Sequence, residues 1–132
     1  MELHLKISGA LLIALALMHI GLPKYFNWKN ELRSLGLITK QILEVHTFFI
    51  ALTVFMMGLL CLTSHHELAE TTLGKRISLG FGIFWVIRLF FQLFIYSSKL
   101  WKGKKFETTI HIIFILLWIY FSVIFLLTSQ II

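Results

Sequence analysis

Four long runs of apolar residues, separated by short polar segments, dominate the hydrophobic pattern of the chain. They cover Ile7 to Leu22, Ile42 to Leu62, Ile77 to Tyr96 and Ile110 to Thr128. A helix rises about 1.5 Å per residue, so about 20 residues cross a hydrocarbon core about 30 Å thick. Backbone polar groups inside a bilayer must bond to one another, and the period-2 alternation of a barrel strand is absent. The pattern predicts an all-α protein, a membrane four-helix bundle running up, down, up and down.

The composition supports the membrane class. Of the 132 residues, 58% are hydrophobic and 14% are charged, whereas soluble chains carry about a quarter charged residues. One cysteine excludes a disulfide scaffold, and basic residues placed between apolar runs exclude a nucleic-acid-binding domain. We expect one transmembrane domain over residues 1–132, with the lipid bilayer as its first partner.

The distribution of basic residues predicts the orientation. Eight lie in the loops after the first and third runs: Lys24, Lys29, Arg33, Lys40, Lys99, Lys102, Lys104 and Lys105. On the opposite side are Lys6, Lys75 and Arg76. Because cytoplasmic loops are enriched in Lys and Arg, both basic loops should be cytoplasmic and both termini outside.

The first run could also be a cleaved signal peptide, since Ala14-Leu15-Ala16 mimics a cleavage site. However, the amino terminus has only Lys6 against Glu2, and the apolar run continues past that site. A retained first helix, closed by Pro23, is the favoured interpretation.

The connection after the first run has the pattern of a short amphipathic helix at the membrane surface. Trp28, Leu32 and Leu35 recur at helical spacing, and the helix should stop near Gly36. Tyr25 belongs with Trp28 to an interfacial aromatic belt.

The connection after the second run begins with a capping box, Ser64 with Glu67, which predicts a short outer helix ending at Gly74. His66 and Glu70 share a face of that helix and could bind Zn²⁺. A solvated helix is the favoured interpretation, since two exposed ligands rarely suffice.

Polar side chains inside the apolar runs are costly in a bilayer and mark functional sites by default. Each run contributes one at the same predicted level, about 6–8 Å into the core from the cytoplasmic side. The four are His19, His46, Gln92 and His111.

Helical spacing predicts which side chains face each other. Two stripes follow the i, i+3, i+7 rule: Trp85, Arg88, Gln92 and Tyr96 on the third run, and, at closely similar spacing, Glu107, His111, Phe114 and Trp118 on the fourth. His46 shares a face with Ile42, Phe49, Ile50 and Thr53. Glu44 is turned about 200° away and suits a loop cation such as Lys40.

Arg88 is the costliest of these residues, at about 2.5–3.5 kcal/mol near the middle of a span, and needs a partner. Glu107 is one candidate, and a bound anionic group such as a haem propionate or a lipid headgroup is another. The third possibility is backbone carbonyls and hydroxyls, those of Thr53, Tyr120 or Ser122.

The histidine layer suggests a cofactor site. In an up-down-up-down bundle the second and fourth spans lie diagonally, so His46 and His111 could bind a haem iron axially. Arg88 and Gln92 would then lie beside the cofactor, with His19 as a further ligand.

A transition-metal ion is the related alternative. It would use His19, His46 and His111 together, with Glu107 as a ligand or as the carboxylate that orients an imidazole. A metal-free polar pocket for a small lipophilic ligand or for proton transfer is also open, as are histidines that bond only to neighbouring carbonyls.

The chain also resembles known proteins through four stretches. They are His19-Ile-Gly-Leu-Pro23-Lys-Tyr-Phe-Asn-Trp28, Glu44-Val-His46-Thr-Phe-Phe, Arg88-Leu-Phe-Phe-Gln92 and Glu107-Thr-Thr-Ile-His111. These stretches resemble small four-span bacterial membrane proteins of uncharacterised function, and the layout of the whole chain is similar to the DoxX-like group. The resemblance implies a four-helix bundle in a bacterial inner membrane and assigns no functional residue.

Together these observations predict a His-lined intramembrane site that binds haem or a transition metal for redox chemistry or electron transfer. The alternative is a non-catalytic membrane subunit, or a scaffold that binds lipid, quinone or another membrane protein. Whether the chain is an enzyme stays open at this stage.

Overall fold

A computed structural model describes residues 2–25, 36–94 and 105–130, with all side chains in these ranges except those of residues 2, 20–25 and 107. The described residues are helical apart from short junctions, and no strand occurs among them. The helices are α1 (Glu2–Tyr25), α2 (Leu37–Thr63), α3 (His65–Glu70), α4 (Thr72–Phe94) and α5 (Lys105–Ser129). The all-α prediction is confirmed.

Three of these helices are long and apolar enough to cross a membrane: Leu37–Thr63, Thr72–Phe94 and the Thr108–Ser129 part of α5. The chain is therefore a membrane protein by the length and composition of its helices. In α1, the segment Leu3–His19 forms a shorter apolar helix. The fourth span and the up-down-up-down bundle stay predictions.

Pro23 does not end the first helix, which continues to Tyr25. A proline at this position loses the N–H that would bond to the carbonyl of His19 and crowds that carbonyl, but its fixed φ is compatible with a helix, so the turn can stay helical. The predicted amphipathic helix between the first two spans falls on residues 26–35, outside the described residues, and stays a prediction.

The predicted short helix exists but ends at Glu70, so the predicted end at Gly74 was wrong. Gly74 lies in the first turn of α4, where a Cβ would collide with the backbone of Glu67 and Leu68. The absent side chain therefore serves the close approach of α3 and α4.

By its internal contacts the chain divides into two units, Leu3–His65 and His66–Ile132. In the first, α1 and α2 pack in opposite directions, because Gly9 faces Gly58, Cys61 and Leu62 while Ile13 faces Gly58. The glycine pair lets the two backbones approach closely, as small residues do in membrane helix pairs. Cys61 is buried beside this contact.

The second unit pairs α4 with α5, again in opposite directions. A Cβ on Gly82 would lie 2.7 Å from Leu126 Cδ2, and the rings of Phe81 and Phe125 meet edge to face with centroids 5.3 Å apart. This pair contains most of the polar side chains that the sequence singles out.

A candidate functional site between helices four and five

The two predicted stripes on α4 and α5 face each other, which confirms the prediction from helical spacing. The rings of Trp85 and Trp118 stack with centroids 4.9 Å apart and planes at 19°. About two turns away, Gln92 Nε2 lies 2.7 Å from His111 Nδ1. Tyr96 lies outside the described residues, as does the side chain of Glu107.

An aromatic stack supports the polar groups. Phe114 stacks on Trp118 with centroids 5.4 Å apart, and Phe121 packs against Trp85 at 5.0 Å. The guanidinium carbon of Arg88 lies 5.3 Å from the centre of the Trp118 ring, within cation–π range. Trp118 therefore forms part of the surface on which the arginine charge rests.

Gln92 connects the other three side chains, and hydrogen-bond roles fix its orientation. Its Oε1 accepts from Arg88 Nη1 and from Trp118 Nε1, each at 3.4 Å. Guanidinium and indole groups only donate, so the amide oxygen must face them and the amide nitrogen must face His111. His111 Nδ1 is then the acceptor, and a neutral His111 carries its proton on Nε2. We call Arg88, Gln92, His111 and Trp118 the α4–α5 polar cluster.

Two described contacts of Arg88 were not among the three suggested by the sequence, which stay predictions. Gln92 and the face of Trp118 contact the guanidinium, and Ser122, one of the suggested hydroxyls, donates to the Trp118 carbonyl at 2.7 Å. The sequence contained a signal for both partners. Gln92 is at i+4 from Arg88 on the same helix face, and Trp118 is at i+7 from His111, on the stripe of α5 that was predicted to face Arg88.

The α4–α5 polar cluster contains more donors than acceptors. A guanidinium, an indole, an amide NH₂ and an imidazole N–H all donate, whereas only the amide oxygen of Gln92 and Nδ1 of His111 accept. The arrangement is complementary to an oxygen-rich partner. Within the chain, Glu107 could supply one, being one turn before His111.

His19 and His46 show the opposite hydrogen-bond polarity. Nδ1 of His19 lies 2.8 Å from the carbonyl oxygen of Leu15, and Nδ1 of His46 lies 2.8 Å from that of Ile42. A carbonyl can only accept, so Nδ1 carries the proton in both rings. When neutral, each imidazole therefore has its lone pair on Nε2, the state that binds metals.

The two histidines differ in burial. His19 continues the buried stripe of α1, which includes Leu12 and Leu15, and is half-buried. His46 is exposed, because the packing stripe of α2 passes through Ala51 and Val54 and reaches Thr47, about 100° away from His46. The face of α2 that the sequence suggested for the interior is thus exposed.

His19 and His46 belong to the same unit and lie towards the same end of it. Measured from the Gly9–Gly58 contact, His19 is about 15 Å along α1 and His46 about 18 Å back along α2. Gln92 and His111 meet in the other unit, so a single four-helix layer stays a prediction.

Among the residues whose side chains are described, no group of three or more His, Cys, Asp or Glu could hold a metal ion.

Among the described side chains, three buried polar atoms that the sequence did not indicate have no hydrogen-bond partner: Ser8 Oγ, Ser78 Oγ and Trp85 Nε1. Elsewhere in the described helices, hydroxyls such as that of Thr53 donate to the carbonyl four residues before. Trp85 was recognised only as a member of its stripe, since spacing cannot show whether an indole N–H has an acceptor.

Comparison with known proteins adds no further information on function. No family model matches the chain, and no curated protein or solved structure matches it either. The likeness to the DoxX-like group stays a prediction, and function has to be inferred from the side chains.

Proposed function

We propose that this membrane protein binds a small lipophilic ligand of the quinone class at the α4–α5 polar cluster. The observation that carries the proposal is the polarity of the cluster. Gln92 directs its oxygen to Arg88 and Trp118 and its nitrogen to His111, so donors outnumber acceptors among these four side chains. A carbonyl oxygen is the complementary partner.

The depth of the cluster favours an uncharged ligand that dissolves in the bilayer. Gln92 and Arg88 belong to the helix Thr72–Phe94, and Arg88 lies about 24 Å from its beginning and about 9 Å from Phe94. Bringing a free anion to this depth costs several kcal/mol unless it is fully paired. A quinone meets the donors with neutral carbonyl oxygens, and its ring and tail are compatible with lipid.

Each residue of the cluster has a defined part in such a site. The Arg88 guanidinium donates to the carbonyl oxygen, and His111 offers its Nε2–H. Gln92 positions both through the bonds described above, while Trp118 holds the arginine charge. The protein then acts as a quinone-binding membrane subunit, and a redox partner would supply or accept electrons.

Quinone binding can be tested with purified protein in detergent. Menadione should quench the tryptophan fluorescence saturably, and Arg88→Leu should weaken its binding about 10-fold or more, as expected for a charged hydrogen bond of about 1.5–3 kcal/mol. His111→Phe should weaken it as well. Arg76→Leu and His66→Phe are the matched controls, because both residues are exposed and outside the cluster.

Two results would contradict the proposal. One is quenching by menadione that rises linearly without saturating in the wild-type protein. The other is an unchanged affinity in Arg88→Leu and His111→Phe, with circular dichroism showing that both variants keep their helices.

A second candidate function is binding of haem or a transition metal by histidines, for redox chemistry or electron transfer. It is supported by the proton on Nδ1 of His19 and His46, which leaves Nε2 free to act as a ligand. His111 could act as a third ligand only through Nδ1, after losing its hydrogen bond from Gln92, or through Nε2, after losing the proton on that nitrogen. Glu107 is the carboxylate that could complete a metal site.

This candidate has a direct test. Protein purified from cells supplied with haem precursors and metals should show a Soret band or near-stoichiometric metal by elemental analysis. His46→Ala and His19→Ala should lose the bound group, whereas His66→Ala should retain it. A colourless, metal-free wild-type protein, or full retention in both variants, would exclude these ligands.

A further inference from the structure

The side-chain amide of Gln92 lies between groups that make opposite demands on it. Its Nε2 is 2.7 Å from His111 Nδ1, and its Oε1 is 3.4 Å from both Arg88 Nη1 and Trp118 Nε1. The bond to His111 is short, whereas the two bonds to the amide oxygen are long for N–H···O bonds. This arrangement holds only while Nδ1 of His111 has a lone pair with which to accept.

Protonation of His111 would remove that lone pair. Both nitrogens of an imidazolium donate, so Nδ1–H would then face the amide NH₂ of Gln92, which also donates. A turn of the amide by 180° exchanges its oxygen and nitrogen and brings Oε1 to the place that Nε2 now holds beside Nδ1. The resulting bond has a charged donor, and such bonds are stronger than neutral ones. The same turn places the NH₂ against Arg88 and Trp118, so both lose this acceptor.

The position of His111 allows protons to reach it from the nearby membrane surface. The apolar part of α5 begins at Thr108, about 4.5 Å before His111, and the imidazole is half-buried. Trp118 is about 10 Å further along the helix and is 3% exposed. Histidine changes its charge between about pH 5 and pH 8. A proton bound near the end of the span would thus change the hydrogen bonding of a buried indole.

The charged residues that bear on His111 belong to α4 and α5. Arg88 is the charged member of the cluster on α4, while Glu107 and Lys105 precede His111 on its own helix. Because a guanidinium keeps its charge, protonation would leave two cations and one amide oxygen in the cluster. Neutral His111 presents no lone pair to a metal ion in this arrangement, since Nδ1 accepts from Gln92 and Nε2 carries the proton.

We propose that Gln92 is a pH-dependent switch, in which protonation of His111 turns the amide and removes its oxygen from Arg88 and Trp118. The switch operates in the ligand-free protein, so it goes beyond the proposed function and does not depend on it. In this switch His111 is the group that binds the proton, and Gln92 is the positioning residue that passes the change on to Trp118.

Nuclear magnetic resonance of ¹⁵N-labelled protein in detergent micelles can follow both ends of the switch between about pH 8 and pH 5. Long-range ¹H–¹⁵N spectra report the tautomer and charge of His111, and the indole N–H signal reports whether Trp118 has an acceptor. At about pH 8 His111 should carry its proton on Nε2. As the pH falls, the Trp118 N–H signal should move upfield with the same midpoint at which His111 gains its second proton.

Gln92→Met is the variant that separates the two ends. Methionine is unbranched and of similar length, and its thioether cannot exchange a donor for an acceptor. His111 should still titrate in this variant, but the Trp118 signal should no longer follow it. His66→Phe is the matched control, because His66 is exposed and outside the cluster, and it should leave both titrations unchanged. His111→Phe and Trp118→Phe assign the two signals.

Three results would overturn the switch. They are a His111 that stays neutral down to about pH 5, a Trp118 signal that stays constant while His111 titrates, and a Trp118 signal that still follows His111 in Gln92→Met. The first two are measured on the wild-type protein and do not depend on the folding of a variant. Menadione binding is a separate measurement, so failure of the switch leaves the quinone proposal standing, and absence of quinone binding leaves the switch standing.

Discussion

At the scale of single residues, Gln92 has the most demanding position in the described structure. It is buried, and it is the only described side chain that bonds to Arg88, His111 and Trp118 at once. Its amide group is used on both sides, the oxygen as acceptor and the nitrogen as donor. An amide performs both roles without any change of protonation state.

We expect Gln92→Leu to destabilise the protein by about 1–2 kcal/mol, since side-chain hydrogen bonds between membrane helices contribute about 0.6 kcal/mol on average and two of the three bonds join α4 to α5. Thermal unfolding in detergent, followed by circular dichroism, measures the change. Combining Gln92→Leu with His111→Phe should cost less than the sum of the single changes, because the two residues share one bond.

Leu93→Ala is the control for that measurement. Leu93 is the next residue and is exposed, so the change should leave the unfolding temperature nearly constant. Strict additivity of Gln92→Leu and His111→Phe would contradict the bond between them.

The sequence predicted which residues of the α4–α5 polar cluster come together but not how their hydrogen bonds are directed. Arg88, Gln92 and His111 were placed on facing stripes by spacing alone, and the structure confirms this. The location of the His111 proton depends on Gln92 accepting from two donors, one of them Trp118. That information requires all four side chains in space, so spacing within one helix could not supply it.

At the scale of helices, the fold depends on small residues where two backbones meet. A Cβ on Gly58 would lie 2.7 Å from Ile13 Cγ1 and 2.8 Å from the carbonyl oxygen of Gly9. The second of these contacts is with backbone, which cannot rotate away as a side chain can. By contrast, a Cβ on Gly80 would meet nothing within 4 Å.

Gly58→Ala should therefore force α1 and α2 apart and destabilise the protein by about 1–3 kcal/mol, as overpacking commonly does. Gly80→Ala is the matched control and should be neutral or stabilising by up to about 1 kcal/mol, because alanine favours a helix more than glycine does. Both are measured by the same thermal unfolding. Equal stability of the two variants would show that the close contact of α1 with α2 is absent.

The errors of sequence interpretation at this scale have a common origin. A helix that is apolar on all sides has almost no amphipathic signal, so the face of α2 that packs cannot be separated from the face that meets lipid. For this reason the sequence could not show that His46 is exposed while the packing face of α2 passes through Ala51 and Val54. Gly74 was interpreted as a helix end because glycine serves both for termination and for close approach, and only the contact with Glu67 distinguishes the two.

At the scale of the whole molecule, the number of membrane crossings depends on α1. Its 24 residues give a length of about 36 Å, enough to cross a hydrocarbon core about 30 Å thick, and Leu3–His19 within it is apolar. With α1 as a span, the chain crosses four times and both termini lie on one side. Without it, the chain crosses three times and the termini lie on opposite sides.

We expect four crossings with both termini outside the cytoplasm, because the basic loops favour the cytoplasmic side. The test uses single cysteines in a Cys61→Ala background and a membrane-impermeant maleimide added to intact cells. Leu3→Cys and Gln130→Cys should both be labelled. His66→Cys, in the outer connection, should be labelled as well, and Lys105→Cys only after the cells are permeabilised.

Each alternative topology gives its own labelling pattern, so a result that contradicts the expected topology also identifies which alternative is correct. Three crossings would leave Gln130→Cys and His66→Cys labelled and protect Leu3→Cys, which would then lie on the cytoplasmic side with Lys105→Cys. Four crossings in the reverse orientation would label Lys105→Cys alone.

The number of crossings also bears on the two candidate functions. With three crossings or with four, α4 and α5 remain spans, so quinone binding at the α4–α5 polar cluster is compatible with either topology. A haem or metal site that uses His19 within the bilayer requires α1 to cross.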